Sequence, residues 1–169
     1  MARLGPLLDG MDIVAVSGDG RLAVRLRGRR SVSMAFSGNA FQDYRDAGSL
    51  AGQLSGALTE LMSKRRATVI AAMERVSGQT VEDGPHWDAR RRRFREERDA
   101  LVAAGLSDDG LIDIETVGLR DWDVDVEPYA LSRLTASGFT GSFASAMTDL
   151  WQNHTVVLTE LKIAHDGQW

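Results

Sequence analysis

The stretch Ser17-Gly18-Asp19-Gly20-Arg21-Leu22-Ala23-Val24 decides the fold, because the chain carries its pattern twice. Shifted by 90 positions, it lies over Ser107-Asp108-Asp109-Gly110-Leu111-Ile112-Asp113-Ile114. The same shift places Gly28 over Gly118, Arg30 over Arg120 and Ala40 over Ala130. With one loop residue removed, residues 50–61 lie over residues 139–150 with the same helical spacing of apolar positions. We therefore predict an internally duplicated chain.

Length and composition set the class of protein. The chain has 169 residues, 43% of them hydrophobic and 26% charged, which suits one medium domain or two small ones in contact. It has no cysteine, so it has no disulfide framework or thiolate chemistry, in accord with a reducing compartment. The N-terminus lacks a secretory apolar region, and no apolar run reaches membrane-spanning length. We expect a soluble, cytoplasmic protein without a membrane partner.

The net charge of −4 conceals a difference between the two halves. Residues 1–85 carry 11 Lys and Arg against 9 Asp and Glu, whereas residues 86–169 carry 9 against 15. The overall balance argues against indiscriminate nucleic-acid binding, but the first half is basic and the second is acidic.

Hydrophobic periodicity predicts the elements of the first repeat. Residues 2–10 form a short helix or a loose arm, residues 12–17 a strand, residues 38–48 a loop, and Ser49 caps a long helix. Within that helix, Gly52 and Gly56 are interpreted as packing residues that allow close backbone approach. An antiparallel meander has its buried face at Leu22, Val24, Leu26, Val32, Met34 and Phe36.

The second repeat follows a turn-forming linker at residues 79–87. Asp88 is predicted to cap a helix that ends at Gly105, and the final helix is predicted to begin at about Thr140. His154 corresponds to Arg65 and is predicted to lie on the helix surface. Between the helices, the inward strand positions are Ile112, Ile114, Trp122, Val124 and Val126.

A glycine-bearing turn, a two-stranded ribbon with a mid-hairpin glycine, a loop and a helix of the form Leu-x-x-x-Leu-x-x-Ala-Leu-x-x-Leu together resemble the YbaB/EbfC family. The resemblance covers residues 12–77 and 88–165. It implies an α+β fold of two tandem YbaB-like repeats, at residues 1–78 and 88–169, in which antiparallel β-meanders are packed by long helices. Members of the family are dimeric, DNA-binding, nucleoid-associated proteins, so this chain would be a fused pseudo-dimer.

Two features depart from the family pattern. The first repeat has almost no leading helix, and the second has Val102-Ala103-Ala104-Gly105-Leu106 where the first strand belongs.

Arginines supply the candidate nucleic-acid contacts. Guanidinium groups at alternate strand positions can follow a phosphate backbone, although the same residues also suit a solvated sheet face. The helical arginines spread around the helix axis beside acidic residues, which favours a salt-bridged surface over a DNA contact. The candidates are Arg21, Arg25, Arg27, Arg29 and Arg30 of the first hairpin and Arg90, Arg91, Arg92 and Arg93 of the following helix.

The equivalent hairpin of the second repeat is acidic. Its outward carboxylates suit a protein partner or head-to-tail self-association with the basic ribbon, and equally a solvated face. This acidic ribbon consists of Asp113, Glu115, Asp121, Asp123 and Asp125, followed by Glu127.

No pattern of residues indicates catalysis. Aspartates at alternate strand positions do not converge on one Ca²⁺, and the three histidines lack metal spacing. No serine or histidine lies in a nucleophile motif, and no small-molecule or cofactor site is evident. The leading hypothesis is therefore a non-enzymatic DNA-binding protein of the nucleoid, implied mainly by the resemblance. The alternatives are a protein-binding adaptor or chaperone of the type VII secretion-associated kind, and a structural oligomer built by basic-to-acidic contacts.

Overall fold

A computed structural model describes residues 3–79 and 88–166. Within these ranges, a helix, three strands, a short helix and a long helix occur in the same order twice. The first set is α1 (Leu4–Asp9), β1 (Asp12–Val16), β2 (Leu22–Arg27), β3 (Ser31–Phe36), α2 (Ala40–Asp43) and α3 (Ala47–Ser77). The second set is α4 (Ala89–Asp99), β4 (Val102–Leu106), β5 (Ile112–Val117), β6 (Asp121–Val126), α5 (Ala130–Arg133) and α6 (Ala136–Asp166).

The strands form two separate antiparallel sheets, β1-β2-β3 (sheet 1) and β4-β5-β6 (sheet 2). Cross-strand partners agree with the predicted faces: Val24 lies opposite Met34 in sheet 1, and Ile114 lies opposite Val124 in sheet 2. All four of these side chains are buried. The prediction of an α+β protein with antiparallel meanders and long helices is confirmed.

The repeated Ser-x-Asp-Gly pattern fixes the turn that leaves the first strand of each sheet. The Oγ of Ser17 donates to Oδ1 of Asp19 (2.6 Å) and accepts from the backbone N–H of Leu22 (3.1 Å). Ser107 donates in the same way to Asp109 (2.6 Å). Both serines are buried, so these bonds satisfy hydroxyl groups that would otherwise be costly to bury. We conclude that this pattern is structural.

The two repeats share one hydrophobic core. Helix α3 contacts β1 and β2 of its own sheet and β6 of the other, while α6 contacts β4, β5 and β3. Phe139 of α6 packs against Phe36 and Phe41 of the first repeat, with ring centroids 5.7 Å apart in both pairs. The hydroxyl of Ser55 in α3 accepts from the backbone N–H of Val124 in β6 (3.0 Å).

The predicted end of the first helix of the second repeat, at Gly105, is wrong. Helix α4 stops at Asp99, and the alanine-rich segment that follows is the strand β4. Gly105 brings this strand against α6: a Cβ there would lie 2.2 Å from the carbonyl oxygen of Ala146. The second repeat therefore does have a first strand. It could not be recognised from the sequence, because alanine and glycine have low strand propensity and tertiary contacts decide the conformation.

Helix boundaries differ from the sequence prediction at three further places. Asp46, and not Ser49, caps α3, and its carboxylate accepts from the backbone N–H (2.7 Å) and the hydroxyl (2.8 Å) of Ser49. Helix α6 begins at Ala136, four residues before Thr140. The predicted loop at residues 38–48 contains the short helix α2.

The interpretation of the helical glycines as packing residues is also wrong. Gly52 and Gly56 are exposed, and a Cβ at either position would meet nothing within 4 Å. The apolar stripe of α3 becomes exposed towards its end, where Met73 is 40% exposed. Of the predicted linker, residues 80–87 lie outside the described residues.

Candidate functional site

The outer face of sheet 1 combines arginines with serines. In the register of β2 and β3, Arg25 lies directly opposite Ser33, and Arg27 lies directly opposite Ser31. Arg21 continues the same line at the start of β2 and is exposed. Guanidinium and hydroxyl groups are both donors that proteins use on phosphate oxygens. Alternation along the strands predicted that the arginines and the serines both face outward, but only the arginines were predicted to contact phosphate; the strand register places the serines beside them.

Two of these arginines already interact with neighbouring groups. Arg25 forms a two-point ion pair with Asp12 of β1, in which Nε donates to Oδ1 at 2.6 Å. The hydrogen bond with Asp12 raises the pKa of Arg25, and the same bond lowers the pKa of Asp12. The guanidinium of Arg21 lies over the ring of Tyr44, 5.5 Å from its centroid. Arg27 is exposed at the far end of the line.

The structure separates the two turn arginines from this outer face. Nε of Arg29 donates to Asp9 of α1 at 2.7 Å. Arg30 reaches α6 of the second repeat, where its Nη1 donates to Oγ1 of Thr155 at 2.9 Å. The five hairpin arginines of the sequence prediction therefore do not form one surface.

The arginines of α4 form another separate group. Nε of Arg93 bonds Glu97 at 2.8 Å, and Nε of Arg91 lies 3.8 Å from Asp88, which caps the helix as predicted. Arg90 and Arg92 are exposed on the same helix. The exposed ion pairs of Arg91 and Arg93 contribute little to stability, so they leave these two arginines available to an external anion.

The outer face of sheet 2 is acidic and unbalanced. Asp113 lies directly opposite Asp125, and Glu115 lies directly opposite Asp123, so like charges face each other across the strands. Within the described residues, none of the five predicted acidic-ribbon carboxylates forms an ion pair. Directly opposed like charges are destabilising in an antiparallel pair. Beside them, Val102 of β4 is 51% exposed.

A second cationic group lies between the two repeats, and the sequence analysis missed it. His154 of α6 is 8% exposed, so its predicted place on the helix surface is wrong. Burial, together with the positive charges of Arg30 and Arg65, lowers the pKa of His154. Burial and the neighbouring Arg30 and Arg66 lower the pKa of Arg65 in α3.

One sequence signal would have found this group. Arg65 and His154 occupy equivalent positions of the duplicated helix, and both fall on its apolar stripe. A basic residue on a buried stripe needs a partner for its charge and its hydrogen-bond donors.

The remaining histidine of α6 joins two helices. Nε2 of His165 lies 2.9 Å from Oε2 of Glu97 in α4, and its ring contacts Phe94. The hydrogen bonds from His165 and Arg93 lower the pKa of Glu97. The described part of the chain holds no group of three or more His, Asp or Glu side chains that could bind a metal ion.

No family model, no curated protein and no solved structure matches this chain. Among the described helices, none is long and apolar enough to cross a membrane.

Proposed function

We propose that this protein is a non-enzymatic DNA-binding protein of the nucleoid-associated type, which contacts the phosphate backbone through the outer face of sheet 1. One observation carries the proposal: Arg25 and Arg27 lie directly opposite Ser33 and Ser31 on an exposed sheet face. The resemblance of the repeated unit to the YbaB/EbfC family supports the same function and a location on the nucleoid.

The spacing of this face suits a DNA strand. Alternate residues of a strand lie about 6.7 Å apart, so the arginines form a row of cationic groups that can follow the regularly repeating phosphates of one DNA strand. Contacts to phosphate carry no sequence information, so we expect binding to mixed-sequence duplexes. The acidic face of sheet 2 repels DNA, which confines the contact to the basic repeat.

The test is a gel shift on mixed-sequence duplex DNA at about 50 and about 200 mM salt, where phosphate-dependent binding falls steeply. The test variant is Arg21→Gln with Arg27→Gln, which leaves the Arg25–Asp12 pair intact. Loss of two phosphate contacts lowers the salt dependence of log K by about 2. The matched control is Arg120→Gln with Arg133→Gln, which removes the same charge from the second repeat. Absence of any shift at low salt, or equal loss in both double variants, overturns the proposal.

A second candidate is a protein-binding role, as an adaptor or chaperone of the type VII secretion-associated kind or as a structural oligomer. The unpaired carboxylates of sheet 2, beside the exposed Val102 and Leu106, favour it. Basic sheet 1 of one copy against acidic sheet 2 of the next is a heterologous contact, which builds open chains or rings. Sedimentation at low and high salt tests the oligomer: salt-sensitive growth that Glu115→Arg abolishes supports it, and a monomer at every concentration excludes it.

A further inference from the structure

A cleft of about 510 Å³ lies between the β2–β3 turn of the first repeat and α6 of the second. Among its lining residues, one is positively charged, the others are uncharged, and none carries a carboxylate. The lining residues are Arg30, Ser31, Thr148, Trp151, Gln152 and Thr155.

Hydrogen bonds within α6 hold one wall of this cleft and orient Arg30. The hydroxyl of Thr155 donates to the carbonyl oxygen of Trp151 (2.8 Å) and accepts from Nη1 of Arg30 (2.9 Å). Thr155 therefore positions the guanidinium, whose other N–H groups remain available to a ligand. The Ser31 hydroxyl and the Gln152 amide lie on the same cleft.

Positive charge accumulates near Arg30, and within the described residues neither Arg30 nor Arg65 forms an ion pair. Arg30 acts electrostatically on both Arg65 and His154, and the groups that shift the pKa values of these two residues are cations. Within the described ranges, Nε of Arg65 and Nε1 of Trp151 are buried and have no hydrogen-bond partner. A partly buried guanidinium whose buried N–H has no acceptor is costly, so the arrangement favours a bound anion.

The equivalent turn of the second repeat, between β5 and β6, has carboxylates of the chain beside its arginine. Arg120, the counterpart of Arg30, lies 3.6 Å from Asp99, and Asp121 stands where the first repeat has Ser31. Within the described residues, Arg120 therefore has a carboxylate beside it and Arg30 has none.

We propose that this cleft binds a phosphoryl group, whose oxygens accept hydrogen bonds from Arg30, Ser31 and Gln152 while Arg65 adds positive charge near Arg30. A phosphoryl group fits because it carries one negative charge in a DNA backbone and close to two in a monoester, and because its acceptor oxygens match the guanidinium fork. The source is either the backbone of DNA or a free phosphate compound. This site shares Ser31 with the proposed DNA contact on sheet 1 but uses none of the arginines of that contact.

The ring of His154 reports occupancy of the cleft directly. In the free protein, burial and the charges of Arg30 and Arg65 keep its pKa low, so the ring is neutral at pH 7. A bound phosphate partly neutralises those charges, so we expect the pKa of His154 to rise on binding.

The experiment follows the histidine ring signals of the full chain by NMR while inorganic phosphate is added at constant ionic strength, with chloride as the reference. His154→Gln assigns the signal, and thermal unfolding verifies that each variant is folded. We expect a saturable shift and a higher pH midpoint for His154. Arg30→Gln should weaken binding by about ten-fold or more, the effect of losing a hydrogen bond to a charged group. Arg120→Gln, its matched control, should bind as the wild type does.

The proposed site is overturned if the His154 signal does not change when phosphate is added. It is also overturned if the Arg30→Gln variant binds phosphate as tightly as the wild type does. Phosphate binding without a DNA gel shift supports the site and overturns the nucleoid function. When the wild type binds both ligands, loss of both in Arg30→Gln identifies DNA as the source of the phosphoryl group. Loss of phosphate binding alone identifies a free phosphate compound.

Discussion

The outer faces of the two sheets have equivalent backbones and opposite chemistry. Where sheet 1 pairs Arg25 with Ser33, sheet 2 pairs Glu115 with Asp123. The inner faces differ much less, because aliphatic and aromatic side chains fill one common core. Close packing limits what an inner position can hold, whereas an outer position is limited only by solvent and by partners. The outer faces of the two repeats were therefore able to diverge in charge while the inner faces stayed apolar.

The largest effect that we predict concerns the inner faces. Gly105→Ala should destabilise the protein by about 3 kcal/mol, because its Cβ would overlap backbone atoms of Ala146 and Leu150 in α6. Thermal unfolding measures the change as a fall in Tm of about 10 °C. Sheet 1 holds alanine at the equivalent position, Ala15, which is fully buried.

Ala15→Gly provides the matched change in sheet 1 and should cost only about 1 kcal/mol. Equal losses at the two positions would mean that both strands approach their helices equally closely, and would contradict the difference between the sheets.

The next effect compares the equivalent helix positions, Arg65 and His154. Arg65→Met should stabilise the protein by about 1 to 2 kcal/mol, because it removes a partly buried charge that lacks a partner. It should also raise the pKa of His154, since the charge of Arg65 helps to lower it. Denaturant unfolding and histidine NMR measure the two changes.

Arg75→Met makes the same chemical change at an exposed position of the same helix and should change stability by less than about 0.5 kcal/mol. A destabilised Arg65→Met protein would show that Arg65 already has an internal partner.

A charge change at the outer faces should have a smaller effect. Glu115→Arg replaces a repelling pair with an attracting pair opposite Asp123, so it should stabilise sheet 2 by up to about 1 kcal/mol. Added salt should reduce this gain, because it screens exposed charges. Asp121→Arg is the control, since it changes the net charge by the same amount while Asp121 faces Val117, and it should gain less. Equal gains in stability for the two variants would mean that net charge, and not the cross-strand pairing, causes the effect.

The smallest effect on stability that we predict concerns the exposed helical glycines, where the sequence suggested close packing and the structure shows open space. Gly52→Ala and Gly141→Ala lie at equivalent exposed positions, and each should stabilise the protein by about 0.5 kcal/mol through helix propensity. Chemical denaturation of the two variants checks this value. Destabilisation at either position would support the close packing that the sequence suggested.

Part of the candidate site could be predicted from the sequence. Alternation along β2 and β5 placed Arg25, Arg27 and Glu115 outward, because a strand has a period of two residues. The ion pair of Arg25 with Asp12 could not be predicted, since it depends on the register between separate strands. The cleft at Arg30 was equally hidden, because its walls come from residues more than 100 positions apart.

The sequence by itself determined the duplication, the antiparallel meanders and the inward residues, because these follow from local periodicity and from repetition along the chain. Tertiary structure alone decided that residues 102–106 form a strand and that His154 is buried. Both outcomes depend on the surface that the rest of the chain presents: Gly105 fits against α6, and Arg30 of the other repeat lies near His154. Local sequence cannot specify such contacts, since they form, and contribute free energy, only when the two repeats are packed together.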